Sequence, residues 1–256
     1  MFFLLSIKDG EKSFRARISD YFHPANVSVE KIETEKLLPF YKITAVRHRG
    51  EIPWKEIENA AGRFCHRAIM NVSENIPESS KIKKYEPVVF PTRILFNSAV
   101  SVLEKLKLDP IKMSITVFDE NGYLTDMIEN LVKLCSSIRI VTSCVRDYEA
   151  VRDDLLLKYG ISVIITPKTD NIILTSTAII SDKSGDIPLI YHGLLFTNER
   201  RKMLNASVLC GKNITLPDEI KHLFDPGYDK LTFASALYEL CSAKILEKTL
   251  YDDMQV

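Results

Sequence analysis

Between residues 114 and 166 the chain alternates short apolar-rich segments with longer amphipathic ones, and this rhythm constrains the fold more than any other feature. Residues 114–118, 138–142 and 161–166 are each short and rich in β-branched and apolar side chains, as strands require. Leu124, Met127, Ile128, Leu131 and Cys135 recur at spacings of three and four and predict a helix. Tyr148, Val151, Leu155 and Tyr159 predict a second, with Gly160 where a helix C-terminus favours it. Strands buried on both faces read as near-continuous apolar runs, and right-handed crossovers place helices over each face. The expected class is α/β: a Rossmann-like, doubly wound, mostly parallel sheet.

The sequence before residue 88 has a different texture. Residues 2–7, 14–21 and 40–46 read as strands. Pro53 suits a first helical position, and Trp54, Ile57, Ala61, Phe64 and Ala68 line one face of a helix running to about Met70. Residues 75–91 hold three prolines, two serines and the basic Lys81, Lys83 and Lys84, which reads as a connection. The expected division is therefore a small mixed α/β domain, 1–88, and a Rossmann-like domain, 89–256. In the latter a helix spans 91–106 and stops before Asp109-Pro110. Further strands are expected at 171–175, 177–180, 189–191 and 207–209, with a turn at 182–185. A helix capped by Asp229 and carrying Leu231, Ala234, Tyr238, Cys241 and Ile245 closes the domain. Such a helix commonly packs across an interdomain surface or onto a second copy, so a homodimer is one expected assembly.

Composition narrows the partners. Among 256 residues, 34 Lys and Arg balance 34 Asp and Glu, and 46% of the chain is hydrophobic, which excludes a disordered chain and a polybasic nucleic-acid binder. The apolar run of residues 1–5 is too short to span a bilayer or to form a signal-peptide core, so no membrane partner is expected. Cysteines 65, 135, 144, 210 and 241 form no CxxC pair and have no histidine at zinc-finger spacing. Reduced thiols in a cytoplasmic protein follow, with an unidentified small molecule or protein as partner. Walker loops, HExxH helices and GxSxG elbows are absent from the sequence.

The helix at 91–106, the run Asp170-Asn171-Ile172-Ile173-Leu174-Thr175-Ser176-Thr177 as a fourth strand with a polar end, and the helix from Leu231 carry a resemblance. Over about 160 residues the chain resembles a nucleotide-binding Rossmann domain, and in these landmarks the C-terminal NADP-binding domain of the shikimate dehydrogenase type. The resemblance implies a cofactor site, for NADP if any, with Asn121, Gly122, Thr142, Ser143, Arg146, Thr175 and Ser176 around it. The chain departs from the fingerprint at its centre. A dinucleotide loop wants G-x-G-x-x-G after the first strand, whereas Phe118-Asp119-Glu120-Asn121-Gly122-Tyr123 keeps one glycine. Asp119 and Glu120 put two carboxylates where phosphates would approach, and at about 4 Å a like-charge contact costs on the order of 1–4 kcal/mol. As metal ligands the same pair would need a third carboxylate.

Other candidates each have a functional and a structural reading. Thr142, Ser143 and Arg146 follow the second strand, where Arg favours a ribose 2′-phosphate; a solvated helix start beside Asp147 is the bland reading. Arg47, His48 and Arg49 follow a strand, and Arg63, His66 and Arg67 share the predicted helix. Together they would make an anion pocket, or else a solvated basic face. His192 follows an apolar run, as a general acid or base at a strand end would, though a lone histidine is more often structural. Two functions fit: a non-catalytic or regulatory ligand- or partner-binding protein on a degenerate Rossmann-like scaffold, or an NADP-dependent oxidoreductase with an atypical phosphate loop. Either way a ligand should lie beyond the carboxyl ends of the parallel strands, at residues 119–123, 142–146 and 175–177.

Overall fold

A computed structural model describes residues 1–9, 26–47, 50–71, 75–168, 175–183, 187, 190–199 and 202–254. The expected strand at 14–21, His48, Arg49, residues 170–174 of the expected fourth strand, and residues 184 and 185 of the expected turn lie outside them. In chain order the elements are β1 (Phe3–Lys8), β2 (Val27–Thr34), β3 (Leu37–Val46), α1 (Trp54–Ala61), β4 (Ala68–Met70), α2 (Val89–Leu106), β5 (Ser114–Phe118), β6 (Ser137–Thr142), α3 (Val145–Tyr159), β7 (Ser162–Pro167), β8 (Ala178–Ser181), β9 (Ile190–Thr197), β10 (Leu204–Cys210), α4 (Asp218–Lys221) and α5 (Lys230–Cys241). The chain divides into two compact units, Met1–Val88 with Leu216–Leu246, and Val89–Thr215 with Glu247–Val256. The helix expected to close the second domain is thus part of the first unit.

The first unit is built on a four-stranded sheet in the order β2-β3-β1-β4, parallel except for the β2–β3 hairpin. Its centre is β1, and the apolar run there is buried on both faces. On one face Phe3 and Leu5 pack with Ile43, Ala45, Ala68, Met70 and, from α1, Ile57 and Ala61. On the other, the Phe2 ring stacks on Phe40 with centroids 4.8 Å apart. Phe233 of α5 meets both rings edge-on, at 6.4 and 6.2 Å. These aromatic contacts explain why α5 belongs here, since edge-to-face pairs add to the area that each ring buries. The Asp229 carboxylate caps α5 by accepting the Thr232 N–H at 2.7 Å, as its sequence position implied.

The helix begun at Pro53 is shorter than the spacing predicted. It ends at Ala61, because Gly62 turns the chain at φ +54° and residues 62–64 tighten into a 3-10 turn. Ala68–Met70 then pair with Phe3–Leu5 as a strand. Arg63, His66 and Arg67 therefore do not share a helix face.

The second unit contains six parallel strands in the order β7-β6-β5-β8-β9-β10. Numbered within the sheet this is 3-2-1-4-5-6, the doubly wound, Rossmann-like order. Central strands β5 and β8 are buried almost throughout, consistent with cover on both faces. The connection from β5 to β6 departs from the expected helix. Leu124, Met127, Ile128, Leu131 and Cys135 are all buried as their spacing implied. Their backbone instead runs through successive four-residue turns and a short 3-10 helix at Ile128–Leu131, with Met127 N–H bonded to the Leu124 carbonyl, Asn130 to Met127 and Leu134 to Leu131. Helix α3 ends at Gly160, in the left-handed region at φ +67°, as predicted. Among the described residues no helix is long and apolar enough to cross a membrane, and all five cysteines are free of disulfides.

Replacing Phe233 by alanine removes a fully buried ring from the aromatic face of β1 and β3. Urea unfolding should show a loss of about 3–5 kcal/mol; a loss below about 1 kcal/mol, the range of an exposed substitution, would contradict the placement of α5.

Candidate functional site

The rim at the carboxyl ends of the second sheet is the expected ligand position, and four strand ends meet there in register. Phe118 lies opposite Val141 and Ser181, and Ile180 opposite Phe196. The polar residues Thr142, Asp119, Ser181 and Thr197 form a staggered row along this rim, Asp119 level with Thr142 and, one residue lower, Ser181 level with Thr197, and all four are buried. Each turns back on its own loop. Thr142 Oγ1 accepts the Cys144 N–H at 2.9 Å, the Ser181 hydroxyl donates to the Lys183 carbonyl at 2.7 Å, and Thr197 Oγ1 accepts the Glu199 N–H at 3.2 Å. Such hydroxyl turns two residues on satisfy loop backbone that would otherwise lose its partners at the strand end.

Asp119 is the charged member of the row and is only 3% exposed. Its Oδ1 accepts the Tyr123 N–H at 3.0 Å, and its Oδ2 accepts the Leu124 N–H at 2.7 Å and the Tyr148 hydroxyl of α3. Burial, and then the Asp119 charge beside it, push the Tyr148 phenol far above its ordinary range, so it stays a donor. In a dinucleotide loop the N–H groups after the first strand face the pyrophosphate. In this chain Asp119 accepts from two N–H groups of the loop after β5.

The loops after β5 and β6 do come together. The Glu120 carbonyl accepts the Ser143 N–H at 3.3 Å, and a side chain at Gly122 would meet Cys144 Cβ at 3.4 Å and Asp147 Oδ2 at 3.6 Å. Gly122 also sits at φ +76°, so both backbone and close approach call for glycine. Asn121, Ser143 and Arg146 are exposed around this junction, while Thr142 is buried and committed to Cys144. Glu120 points away from Asp119's pocket of donors and pairs with Lys168 Nζ at 3.1 Å. The two adjacent carboxylates thus diverge, and among the described residues no three His, Cys, Asp or Glu side chains gather as a metal site.

Arg93 of α2 clamps the same loop from outside. Its Nη1 donates to the Tyr123 carbonyl and Asp126 Oδ1, both at 2.9 Å, and its Nη2 donates to Asp126 Oδ2 at 2.6 Å. The geometry is the bidentate fork that arginine and carboxylate favour.

Three expectations fail at this point. Thr175, Ser176 and Thr177 precede β8 instead of ending it: Thr177 N–H bonds to the Ser114 carbonyl at 2.9 Å, at the start of β5. They lie at the amino edge of the sheet, opposite the rim, with the Ser176 hydroxyl bonded to Thr116. His192 is exposed near the amino end of β9 and is likewise not a rim residue. Among the described residues, the basic side chains expected to form an anion pocket do not converge. Arg47 follows β3 at its carboxyl end and pairs with Asp9 at 3.1 Å. Arg67 precedes β4 at the amino end and donates to the Met1 carbonyl at 3.3 Å. Parallel strands of six residues separate those ends by about 20 Å. Arg63 is exposed with its guanidinium over the Phe64 ring at 4.9 Å. Ser181 and Thr197 are the rim residues that sequence reasoning missed; both share with Asp119 and Thr142 the pattern of an apolar run followed at once by Ser, Thr or Asp.

No protein-family model and no curated protein sequence matches this chain. Among solved structures it is similar to L-tryptophan dehydrogenase from Nostoc punctiforme, with 13% identity, a TM-score of 0.33, and coverage of 79% of this chain and 64% of that one. It is also similar to the ligand-free form of 5-ketofructose reductase from Gluconobacter sp. strain CHM43 (9%, 0.34, 82% and 87%). A third is Δ1-pyrroline-2-carboxylate reductase from Thermococcus litoralis, in complex with NADH and L-proline (11%, 0.30, 81% and 70%). The chain spans less than two thirds of the length of the first of these. The Rossmann-like assignment rests on strand order and register, and these likenesses add nothing about activity.

Two outcomes follow from the rim. Asp119→Ala strands the Tyr148 hydroxyl and two loop N–H groups and should cost about 2–4 kcal/mol in urea unfolding, whereas Asp119→Asn, which keeps an acceptor oxygen, should cost less. The Arg93 hydrogen bonds hold the Asp126 carboxyl below its ordinary pKa of 3.8. Their contribution is therefore complete above that value and fades as pH falls through the lowered one. Because Asp126 is largely exposed, the effect should be no more than about 1 kcal/mol, and Asp126→Asn should abolish that part of the acid sensitivity.

Proposed function

We propose that this chain is a non-catalytic ligand- or partner-binding protein on a Rossmann-like scaffold whose dinucleotide position is filled by its own carboxylate. The observation that carries the reading is Asp119, buried at the end of β5 and bonded to the Tyr123 and Leu124 N–H groups and to Tyr148. A pyrophosphate entering this loop would have to displace a negative charge already bonded to those donors, and would meet like-charge repulsion besides. The neighbouring hydroxyls of Thr142, Ser181 and Thr197 are likewise spent on their own loops.

A second reading, an NADP-dependent oxidoreductase, is favoured by one observation: Arg146 is exposed in the first turn of α3, directly after β6, where a ribose 2′-phosphate would be held. Asn121, Gly122, Thr142 and Ser143 would complete that site, while Thr175 and Ser176 would take no part in it.

Calorimetric titration separates the two. The unmodified protein should give no binding heat with NAD or NADP; micromolar NADP binding, lost in Arg146→Ala, would overturn the first reading. Replacing Asp119 and Glu120 together by glycine frees the two N–H donors, so a variant that remains folded by circular dichroism should gain measurable dinucleotide affinity.

A further inference from the structure

We propose that the first unit holds a binding site for a small protonated amine at the carboxyl ends of β1 and β4, with Asp225 as the group that takes the ammonium. The site involves none of the rim residues and stands whether or not the rim takes a dinucleotide.

Sheet topology singles out this position. Reading across the first sheet, β3 lies on one side of β1 and β4 on the other, so the chain runs second-first-third and its direction of winding reverses between β1 and β4. Open α/β sheets bind ligands in the crevice at such a reversal, beyond the carboxyl ends of the strands. The register opens the crevice. β4 has three residues, and its last, Met70, lies opposite Leu5, so Ser6 and Ile7 run on past it without a β4 partner. A cavity of about 130 Å³ occupies this step, lined by Ser6, Ile7, Met70, Asn71, Asp225 and Tyr228 among others.

The lining states the ligand's chemistry. Asp225 is its single carboxylate, and the remaining polar groups are the neutral Ser6, Asn71 and Tyr228, the last pushed up to about 12 by burial and then by the Asp225 charge. The turn holds Asp225 in place: the Gly227 N–H donates to Oδ1 at 3.0 Å, and the Tyr228 N–H donates to the Asp225 carbonyl at 3.1 Å. A side chain at Gly227 would come within 3.3 Å of that carboxylate and 3.9 Å of Asn71 Nδ2, so the carboxylate and the amide flank one small space. The Lys42 ammonium stands 3.6 Å from Oδ2, and both side chains are partly exposed, at 34% and 46%. That distance is beyond a hydrogen bond, and a pair so exposed is screened, which leaves Oδ2 able to accept. Tyr228 is 7% exposed, and its hydroxyl lies in hydrogen-bonding geometry with no group, having Ser6 as its polar neighbour. Unmet buried hydroxyls are costly, and a bound polar molecule at Ser6 would relieve this one.

An anion would meet the Asp225 charge, and a neutral diol would desolvate it. An amine at Oδ2 adds the direct charge-assisted hydrogen bond that the Lys42 ammonium, at 3.6 Å, does not make. At about 30 Å³ per water the cavity holds roughly four waters, which suits an amine the size of ethanolamine.

The test uses the full chain, labelled with nitrogen-15, titrated at neutral pH with ethanolamine, ethylene glycol and glycolate, which match in size and differ in charge. Ethanolamine should produce saturable millimolar shifts at the amides of Ser6, Ile7, Asn71 and Gly227, and the two others should not. Asp225→Asn keeps the oxygen that accepts the Gly227 N–H and should weaken binding at least tenfold. Ser6→Val, which leaves the carboxylate and narrows the cavity, should weaken it as well. Absence of saturable shifts, equal response to all three probes, shifts confined to residues outside the cavity, or unchanged binding in both variants would overturn the proposal.

Discussion

A buried carboxylate at the centre of a parallel sheet governs the second unit. Asp119 follows the first strand of the Rossmann-like order and is nearly inaccessible, so its charge has to be met by donors from the protein itself. The Tyr123 and Leu124 N–H groups and the Tyr148 hydroxyl meet it, and in doing so they set the course of the chain. The β5–β6 connection folds back over the strand end and proceeds through tight turns and a single 3-10 turn in place of an α-helix. Arg93 fastens the outer side of that loop through Tyr123 and Asp126.

The same economy runs along the rim. Thr142, Ser181 and Thr197 each end a strand, are buried, and satisfy a loop backbone group two residues further on. Turns of this kind end the strands without leaving those backbone groups unpaired. The first unit is organised differently. Its central strand is buried on both faces, under α1 on one and under the Phe233 edge of α5 on the other, but its neighbour β4 is only three residues long. The step left by that short strand puts a polar cavity at the point where the winding of the sheet reverses.

Much of the architecture was legible in residue order. Strands β5, β6 and β7 coincide within a residue or two with the apolar runs that predicted them, α2 stops at Leu106, ahead of Asp109-Pro110, α3 closes on Gly160, and Asp229 caps α5. Asp119 was legible as a carboxylate directly after β5, though not as one with three donors of its own. The spacing of Leu124, Met127, Ile128, Leu131 and Cys135 identified buried residues correctly and their conformation wrongly, because spacings of three and four suit consecutive tight turns as well as a helix.

What the sequence determined by itself was local: which residues are apolar, at what period, and which caps and turns bound them, since these depend on neighbours within four or five positions. What only the tertiary structure decided was which ends meet. Thr175 and Ser176 sit at the amino edge because Thr177 bonds to Ser114, some sixty residues away; Arg47 and Arg67 stand at opposite ends because β3 and β4 both run parallel to β1. Ala68–Met70 left their helical pattern for a ladder with Phe3–Leu5, and α5 joined the first unit through Phe2 and Phe40. Each of these outcomes turns on backbone pairing or ring contact between segments far apart in the chain, where hydrogen-bond and burial energies override local preference.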